Sequence, residues 1–270
     1  MPGIEIVQEK TIIKEGRVSM NFASGDLSDR QFEKVSNIVY RECGISLKCG
    51  KEALVRARLT KRLRALKMEK FSEYFRYLES DSGREELGLM IDVMTTNKTS
   101  FFRERAHFDF LGETVLPTLS GRRLRFWSAA CSSGEEPFSL AMFLLEMMPG
   151  LGSQDVKILA TDISPTILEK AGRATYEEGM LLDLPSTFIR KYFVKVGNRN
   201  SRTYQVSGDV RKMVKIARLN LLHPWPMKGP FTVIFCRNVM IYFDKQTQQR
   251  LVNRFWEMLE PGGYLFVGHS

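Results

Sequence analysis

The chain has 270 residues, 43% of them hydrophobic, with 40 lysines and arginines against 31 aspartates and glutamates and a net charge of +9. That is enough apolar material for a full α/β core and a small second domain. No segment reaches the length of a membrane span, MPGIEIVQEK lacks the basic-then-apolar order of a secretory signal, and the cysteines at 43, 49, 131 and 236 form no CxxC pair. Membrane insertion, a disulfide scaffold and a zinc finger are therefore argued against, and reduced thiols in a cytoplasmic protein are expected.

Residues 1 to about 24 are mixed and polar and read as a poorly ordered extension. From LSDRQFEKVSNIVYRECG onward the periodicity is helical, with Ser28 as N-cap and Gly44 as stop. EALVRARLTKRLRALKM follows as a second helix, with Leu59, Leu63 and Leu66 on one face and Arg56, Arg58, Lys61, Arg62, Arg64 and Lys67 over the rest. Two readings fit this basic surface: a solvated face, or a dock for an acidic partner, because concentrated positive charge steers association with negative surfaces. The helical region is expected over 25–95, a linker with a connecting helix over 96–120, and a larger α/β domain over 121–270.

That larger domain opens with LRFWSAACSSGEEP, an apolar strand that breaks into small residues and then starts a helix with Glu135 and Glu136. Nucleotide-like ligands bind at such strand–turn–helix junctions, and phosphate-binding versions keep backbone donors or a lysine there. Two adjacent carboxylates repel a pyrophosphate and suit a ligand with a cationic end, of which S-adenosylmethionine is the commonest adenosine-bearing case. Glu-Glu-Pro is also simply a good helix start, and both readings stand. The helix continues as PFSLAMFLLEMM, and VKILATDI then forms a buried strand ending in Asp162, where a carboxylate can accept both ribose hydroxyls of an adenosine. Further on, FTVIFCRNVMIYF is an apolar strand whose end carries Arg237 and Asn238, and PGGYLFVGHS supplies a turn and a last strand. Strands alternating with helices predict a parallel sheet. Between Pro185 and Leu222 lies a segment that a minimal sheet does not require, in which short strands at about 190–215 alternate around Gly-Asn and Ser-Gly turns as a small antiparallel insertion.

TTNKTSFFRE, FWSAACSSGEEP, ATDIS, LNLL, FCRNVMIYFD and PGGYLFVGHS together closely resemble the chemotaxis receptor glutamate methyltransferases of the CheR type, over about residues 25–270. The resemblance implies a class I, Rossmann-like methyltransferase sheet with an all-helical N-terminal domain and the small β insertion. It implies transfer of a methyl group from S-adenosylmethionine to glutamate side chains of chemoreceptors, with S-adenosylhomocysteine as the other product. Carried over by position, Asn97, Thr99, Arg103, Glu135, Asp162, Asn220, Leu221, Arg237 and Asn238 are the expected cofactor contacts, and Tyr242 stands near the transferring methyl. Arg103 and Tyr242 are the expected catalytic pair. In the family the helical domain faces the receptor helices, which gives the basic residues of the second helix a docking role.

A carboxylate is already a nucleophile at neutral pH, so esterification needs near-attack geometry more than a base. That agrees with the scattered histidines 107, 223 and 269, which read as structural. Arg103 fits either the cofactor's carboxylate or the incoming glutamate, and otherwise pairs with Glu104 or Asp109; Tyr242 either donates to the attacking carboxylate or packs beneath it. The insertion either receives a receptor tail peptide by β-augmentation, which the loop GNRNSR puts in doubt because it lacks a second glycine, or acts as a structural flap. Two rival functions are a nucleic-acid methyltransferase, suggested by the positive charge but lacking aromatics interleaved with the basic run, and an inactive adaptor of the same fold. Nucleic acid is not expected as a partner. Because the chain stops after LFVGHS, the last strand is expected to be an apolar sheet edge, completed in a longer protein or covered by the N-terminal arm or another chain.

Overall fold

The computed structural model describes residues 27–47, 50–119, 123–148, 155–198 and 200–269. The N-terminal extension, Cys49 and Ser270 lie outside the described residues. Four helices come first: α1 (Asp29–Cys43), α2 (Glu52–Leu66), α3 (Phe71–Leu78) and α4 (Arg84–Met94). α1 begins in a capping box, in which Gln31 N–H donates to Ser28 Oγ at 3.3 Å and Ser28 N–H donates to Gln31 Oε1 at 3.0 Å. It ends at Gly44 with φ 72°, in the left-handed region. A side chain at Gly44 would also collide with the next domain, since a Cβ there would lie 2.8 Å from Leu222 Cδ1. Val35, Val39, Val55, Leu59, Leu63, Tyr74 and Met90 are fully buried and form this unit's core.

The basic helix is not uniformly solvated. Arg62 is turned inward and forks onto Glu86, with Nη2 2.7 Å from Oε2 and Nε 2.9 Å from Oε1, while Tyr74 Oη donates to the same carboxylate at 2.8 Å. Arg58 donates to Met94 O and, at 2.9 Å, to Thr96 Oγ1. Both arginines therefore leave the predicted surface, because the carboxylate and carbonyl they satisfy are themselves buried or half-buried and need partners.

After α5 (Arg105–Phe110) come β1 (Arg123–Ala129), α6 (Glu135–Met147), β2 (Asp155–Asp162) and α7 (Pro165–Arg173). Then follow β3 (Thr175–Glu177), α8 (Ser186–Tyr192), β4 (Phe193–Val196), β5 (Thr203–Val206), α9 (Gly208–Met213) and β6 (Val214–Arg218), and last β7 (Phe231–Cys236), α10 (Lys245–Met258) and β8 (Leu259–Val267). The main sheet is wholly parallel, in the order β6-β2-β1-β7-β8. The chain moves outward from β1 through β2 to β6 and then returns to β1's other side with β7, so the strand order reverses at β1. A ligand crevice forms outside the carboxyl ends of strands at such a switch point. α6, which covers the sheet there, buries most of its length, Phe138, Leu140, Ala141, Met142 and Leu144 included.

The insertion differs from its expected form. Its antiparallel sheet has the order β3-β5-β4, so it begins at Thr175 and ends at Val206. Ser207-Gly208 opens α9 instead of a turn, and VKIAR pairs with β2 from Ile158↔Val214 to Asp162↔Arg218 as the outer strand of the main sheet. Period-two alternation marks any half-covered strand and carries no information on which sheet it joins.

β8 is the other edge of the main sheet, with β7 its only strand neighbour among the described residues. Pro261-Gly262-Gly263 lies within β8 as a bulge, the register jumping from Phe231↔Leu259 to Val233↔Tyr264. One face of the strand is covered: Phe266 stacks on Phe235 at 4.6 Å between ring centroids, and Phe110 of α5 packs on it at 5.9 Å. No helix among the described residues is long and apolar enough to cross a membrane.

Candidate active site

A cavity opens at the switch point, with walls from the helical unit, the segment after it, and the carboxyl ends of β1, β2, β6 and β7. The turn after β1 shapes its floor. Ala130 (φ 70°), Ser132 (φ 51°) and Gly134 (φ 97°) all adopt positive φ, which the chain tolerates because the turn is held on several sides. Cys131 N–H donates to Thr161 O at 2.8 Å, Ser132 Oγ donates to Asn97 O at 3.0 Å, and Tyr176 Oη donates to Ser133 O at 2.8 Å.

Asp162 stands at the end of β2, 7% exposed, and lines the cavity. Its Oδ2 accepts from Ser132 N–H at 2.9 Å and its Oδ1 from Ser164 N–H at 3.0 Å. Each oxygen keeps a further lone pair, enough for the two hydroxyls of a ribose. Burial raises its pKa, against the pull of those backbone donors.

The segment TTNKTSFFRE folds over the cavity as a strap. Phe101 anchors it between Tyr176 and Phe193, with ring centroids at 4.8 and 5.4 Å, and Phe102 N–H donates to Ser139 Oγ at 2.9 Å. Asn97, Thr99 and Arg103 then reach the cavity wall, Arg103 steadied by donation from Nη1 to Lys98 O at 2.8 Å. It pairs with neither carboxylate weighed for it from sequence: Glu104 turns to Arg237, and Asp109 lies 4.0 Å from Arg105. On the opposite wall Asn220 donates to Glu42 O at 2.6 Å and accepts from Leu222 N–H at 3.0 Å, which ties the Asn220-Leu221 wall to α1. Tyr242 sits in a helical turn over Met240–Tyr242, and its carbonyl accepts from Ser46 N–H at 2.9 Å, so the loop after α1 holds the turn in place.

Asn97, Thr99, Arg103, Asp162, Asn220, Leu221, Arg237, Asn238 and Tyr242 all line this one cavity. Glu135 does not. It is wholly buried, its Oε2 accepts from Ser133 Oγ at 2.7 Å, its Oε1 has no partner, and Glu136 reaches the cavity in its place. Both carboxyls are pushed up by burial. Sequence reasoning weighed Glu104 only as a surface partner of Arg103, and nothing local marks a carboxylate that meets Arg237 and Asn238 more than 130 residues away.

None of the three histidines lines this cavity. His107 Nδ1 lies 3.3 Å from Glu104 Oε2, and burial lowers its pKa. His223 faces Asn220, and His269 Nδ1 lies 3.0 Å from Glu104 Oε1. Among the described residues no group of His, Cys, Asp and Glu is arranged to hold a metal ion. Cys43, Cys131 and Cys236 are buried free thiols, Cys43 pushed up to about 11 by burial.

The donor set fits S-adenosylmethionine. Asp162 keeps unfilled acceptor positions suited to ribose hydroxyls, Arg103 matches a carboxylate, and Ile163 and Leu221 add apolar wall. Fold and cavity together define a Rossmann-like methyltransferase. Residues 30–95 match the family model described as CheR methyltransferase, all-alpha domain, and residues 97–270 that described as CheR methyltransferase, SAM binding domain. The chain belongs to the CheR methyltransferase family, and S-adenosylmethionine is its cofactor. It is 42% identical over 238 residues to a probable chemotaxis protein methyltransferase of Rhizobium etli, covering 86% of this chain and 89% of that protein. It is 42% identical over 243 residues to chemotaxis protein methyltransferase 2 of Pseudomonas aeruginosa, with 88% and 85% covered. The chemotaxis protein methyltransferase of Borreliella burgdorferi is 39% identical over 254 residues, with 91% and 89% covered.

Proposed function

We propose that this chain transfers the methyl group of S-adenosylmethionine to glutamate side chains of chemoreceptors, forming glutamyl methyl esters. The observation that carries the reading is the match to the CheR family together with a cavity lined by Arg103 and Tyr242, groups able to hold a carboxylate. The bound cofactor supplies an electrophilic methyl on a sulfonium. The protein's part is to hold and orient: Asp162 takes the ribose hydroxyls, while Tyr242 donates to one oxygen of the substrate carboxylate and leaves the other free to attack. Incubation with labelled S-adenosylmethionine and a purified receptor cytoplasmic domain tests it. Label released in mild alkali is the expected ester, and a base-stable product assigns the chemistry to an amine acceptor.

Two variants separate the roles. Tyr242→Phe is expected to lower kcat by about 10–100-fold with S-adenosylhomocysteine affinity unchanged, the pattern of an interaction made mainly in the transition state. Arg103→Ala is expected to lower turnover as well. A parallel loss of S-adenosylhomocysteine affinity assigns its fork to the cofactor's carboxylate, and unchanged affinity assigns it to the incoming glutamate.

Receptor docking falls to the exposed part of the basic helix, Lys61, Arg64 and Lys67 with Arg56 beside them, since Arg58 and Arg62 are committed inside the fold. Lys61→Glu/Arg64→Glu is expected to raise KM for receptor severalfold, and to weaken its salt dependence, with cofactor affinity intact. Receptor kinetics equal to those of the parent would return this surface to a solvated face. The same commitment of two arginines weakens the nucleic-acid reading, which needs a continuous basic track.

A further inference from the structure

Arg237 leaves the end of β7 with its side chain 1% exposed. Its Nη1 lies 3.1 Å from Glu136 Oε2, its Nη2 lies 3.2 Å from Glu104 Oε2 and donates also to Arg103 O, and its guanidinium faces the Phe108 ring at 5.9 Å. Its Nε is buried without a partner. Glu104 is 13% exposed, and its second oxygen accepts from Asn238 Nδ2 at 2.8 Å.

The backbone on both sides of this cluster is unusual. Glu104 has φ 55° and Asn238 has φ 56°, so the two segments that bring Arg103 and Asn238 to the cavity each turn through a non-glycine residue in the left-handed region. Such turns persist only where surrounding contacts over-determine them. Here one carboxylate and one guanidinium tie the two turns to each other, and Gly268 closes the far side so tightly that a Cβ there would lie 2.6 Å from Asn238 N and Nδ2.

We propose that Glu104 is a positioning residue of the methyltransferase site: through Arg237 and Asn238 it holds the Arg103 turn against the end of β7, fixing two walls of the cofactor cavity at once. The inference deepens the reading of the site given above and rests on it. Glu104 suits the task because it stays charged. Burial pushes its carboxyl up, but Asn238, His269 and Arg237 outweigh burial and hold it down at about 2. A neutral group of the same shape keeps the hydrogen-bond outline but no longer balances the enclosed guanidinium.

The test is a coupling measurement on the full chain, read by calorimetry with S-adenosylhomocysteine and no receptor, so that failure of receptor methylation leaves it intact. Glu104→Gln is expected to weaken S-adenosylhomocysteine binding at least about tenfold at a temperature where the protein remains folded. In an Arg103→Ala/Asn238→Ala background the same substitution is expected to cost less than about twofold, because the groups it positions are gone. An unchanged affinity in Glu104→Gln, or an equal loss in both backgrounds, overturns the proposal. Should Glu104→Gln not fold, Glu104→Asp, which keeps the charge and shortens the reach to Arg237 and Asn238, takes its place in the same cycle with the same expected and overturning results.

Discussion

Arg62→Glu is expected to destabilise the protein by about 3–5 kcal/mol, the scale of breaking a buried ion pair by removing one partner. The side chains of Arg62 and Glu86 are 17% and 3% exposed, and Tyr74 depends on the same carboxylate. Reversal places a second carboxylate against a buried one on which the Tyr74 hydroxyl still depends. The measurement is the urea midpoint of the full chain by circular dichroism, compared with Lys61→Glu/Arg64→Glu, whose residues lie on the exposed face and whose midpoint should move little. Equal midpoints for the two variants would mean that Glu86 has found another partner. The comparison also guards the docking experiment, since a loss of receptor methylation after reversing Arg62 reports folding and not recognition.

Asp162→Ala is expected to weaken S-adenosylhomocysteine binding by roughly 1.5–3 kcal/mol, the scale of a lost charge-assisted hydrogen bond. Part of that loss has a local origin. Asp162 also accepts the N–H groups of Ser132 and Ser164, so its removal leaves two buried donors unsatisfied at the very turn that shapes the floor. Asp162→Asn keeps one acceptor oxygen and should fall between the parent and the alanine variant. Unchanged affinity in calorimetry would remove Asp162 from the site. The pH dependence has a definite sign: the ionised carboxylate is the form that accepts hydroxyls, and burial raises its pKa, so affinity should decline on acidification from a higher pH than for an exposed aspartate.

Much of the site was legible in the chain because it is carried by local patterns. A strand that ends in small residues before a helix, a second strand ending in aspartate, and a third ending in Arg-Asn each place polar groups at a carboxyl end, where a parallel sheet collects its ligand contacts. Asn97, Thr99 and Arg103 came only through resemblance to the family, since nothing about TTNKTSFFRE in isolation says that it folds back over a cavity; Phe101 and Phe102 supply the anchors, and partners of theirs, Tyr176 and Phe193 for Phe101 and Ser139 and Phe188 for Phe102, lie far along the chain. Glu135 and Glu136 are adjacent on a helix about 100° apart, so sequence named the pair while only the fold could say that Glu136 faces the cavity.

By itself, then, the sequence determined where α1 starts and stops, the strands β1, β2 and β7 with the helix α6 between the first two, and the parallel class of the main sheet. These follow from periodicity, capping chemistry and strand-end polarity, all of which act over a few residues. Tertiary structure decided what depends on distant neighbours. VKIAR joined the main sheet and not the insertion because β2 offered a free edge, and Arg58 and Arg62 turned inward because Met94, Thr96 and Glu86 present acceptors that need them. Glu104 and Arg237 became one cluster because folding brought positions far apart in the chain to the same buried spot, where a charge without a partner is too costly to keep.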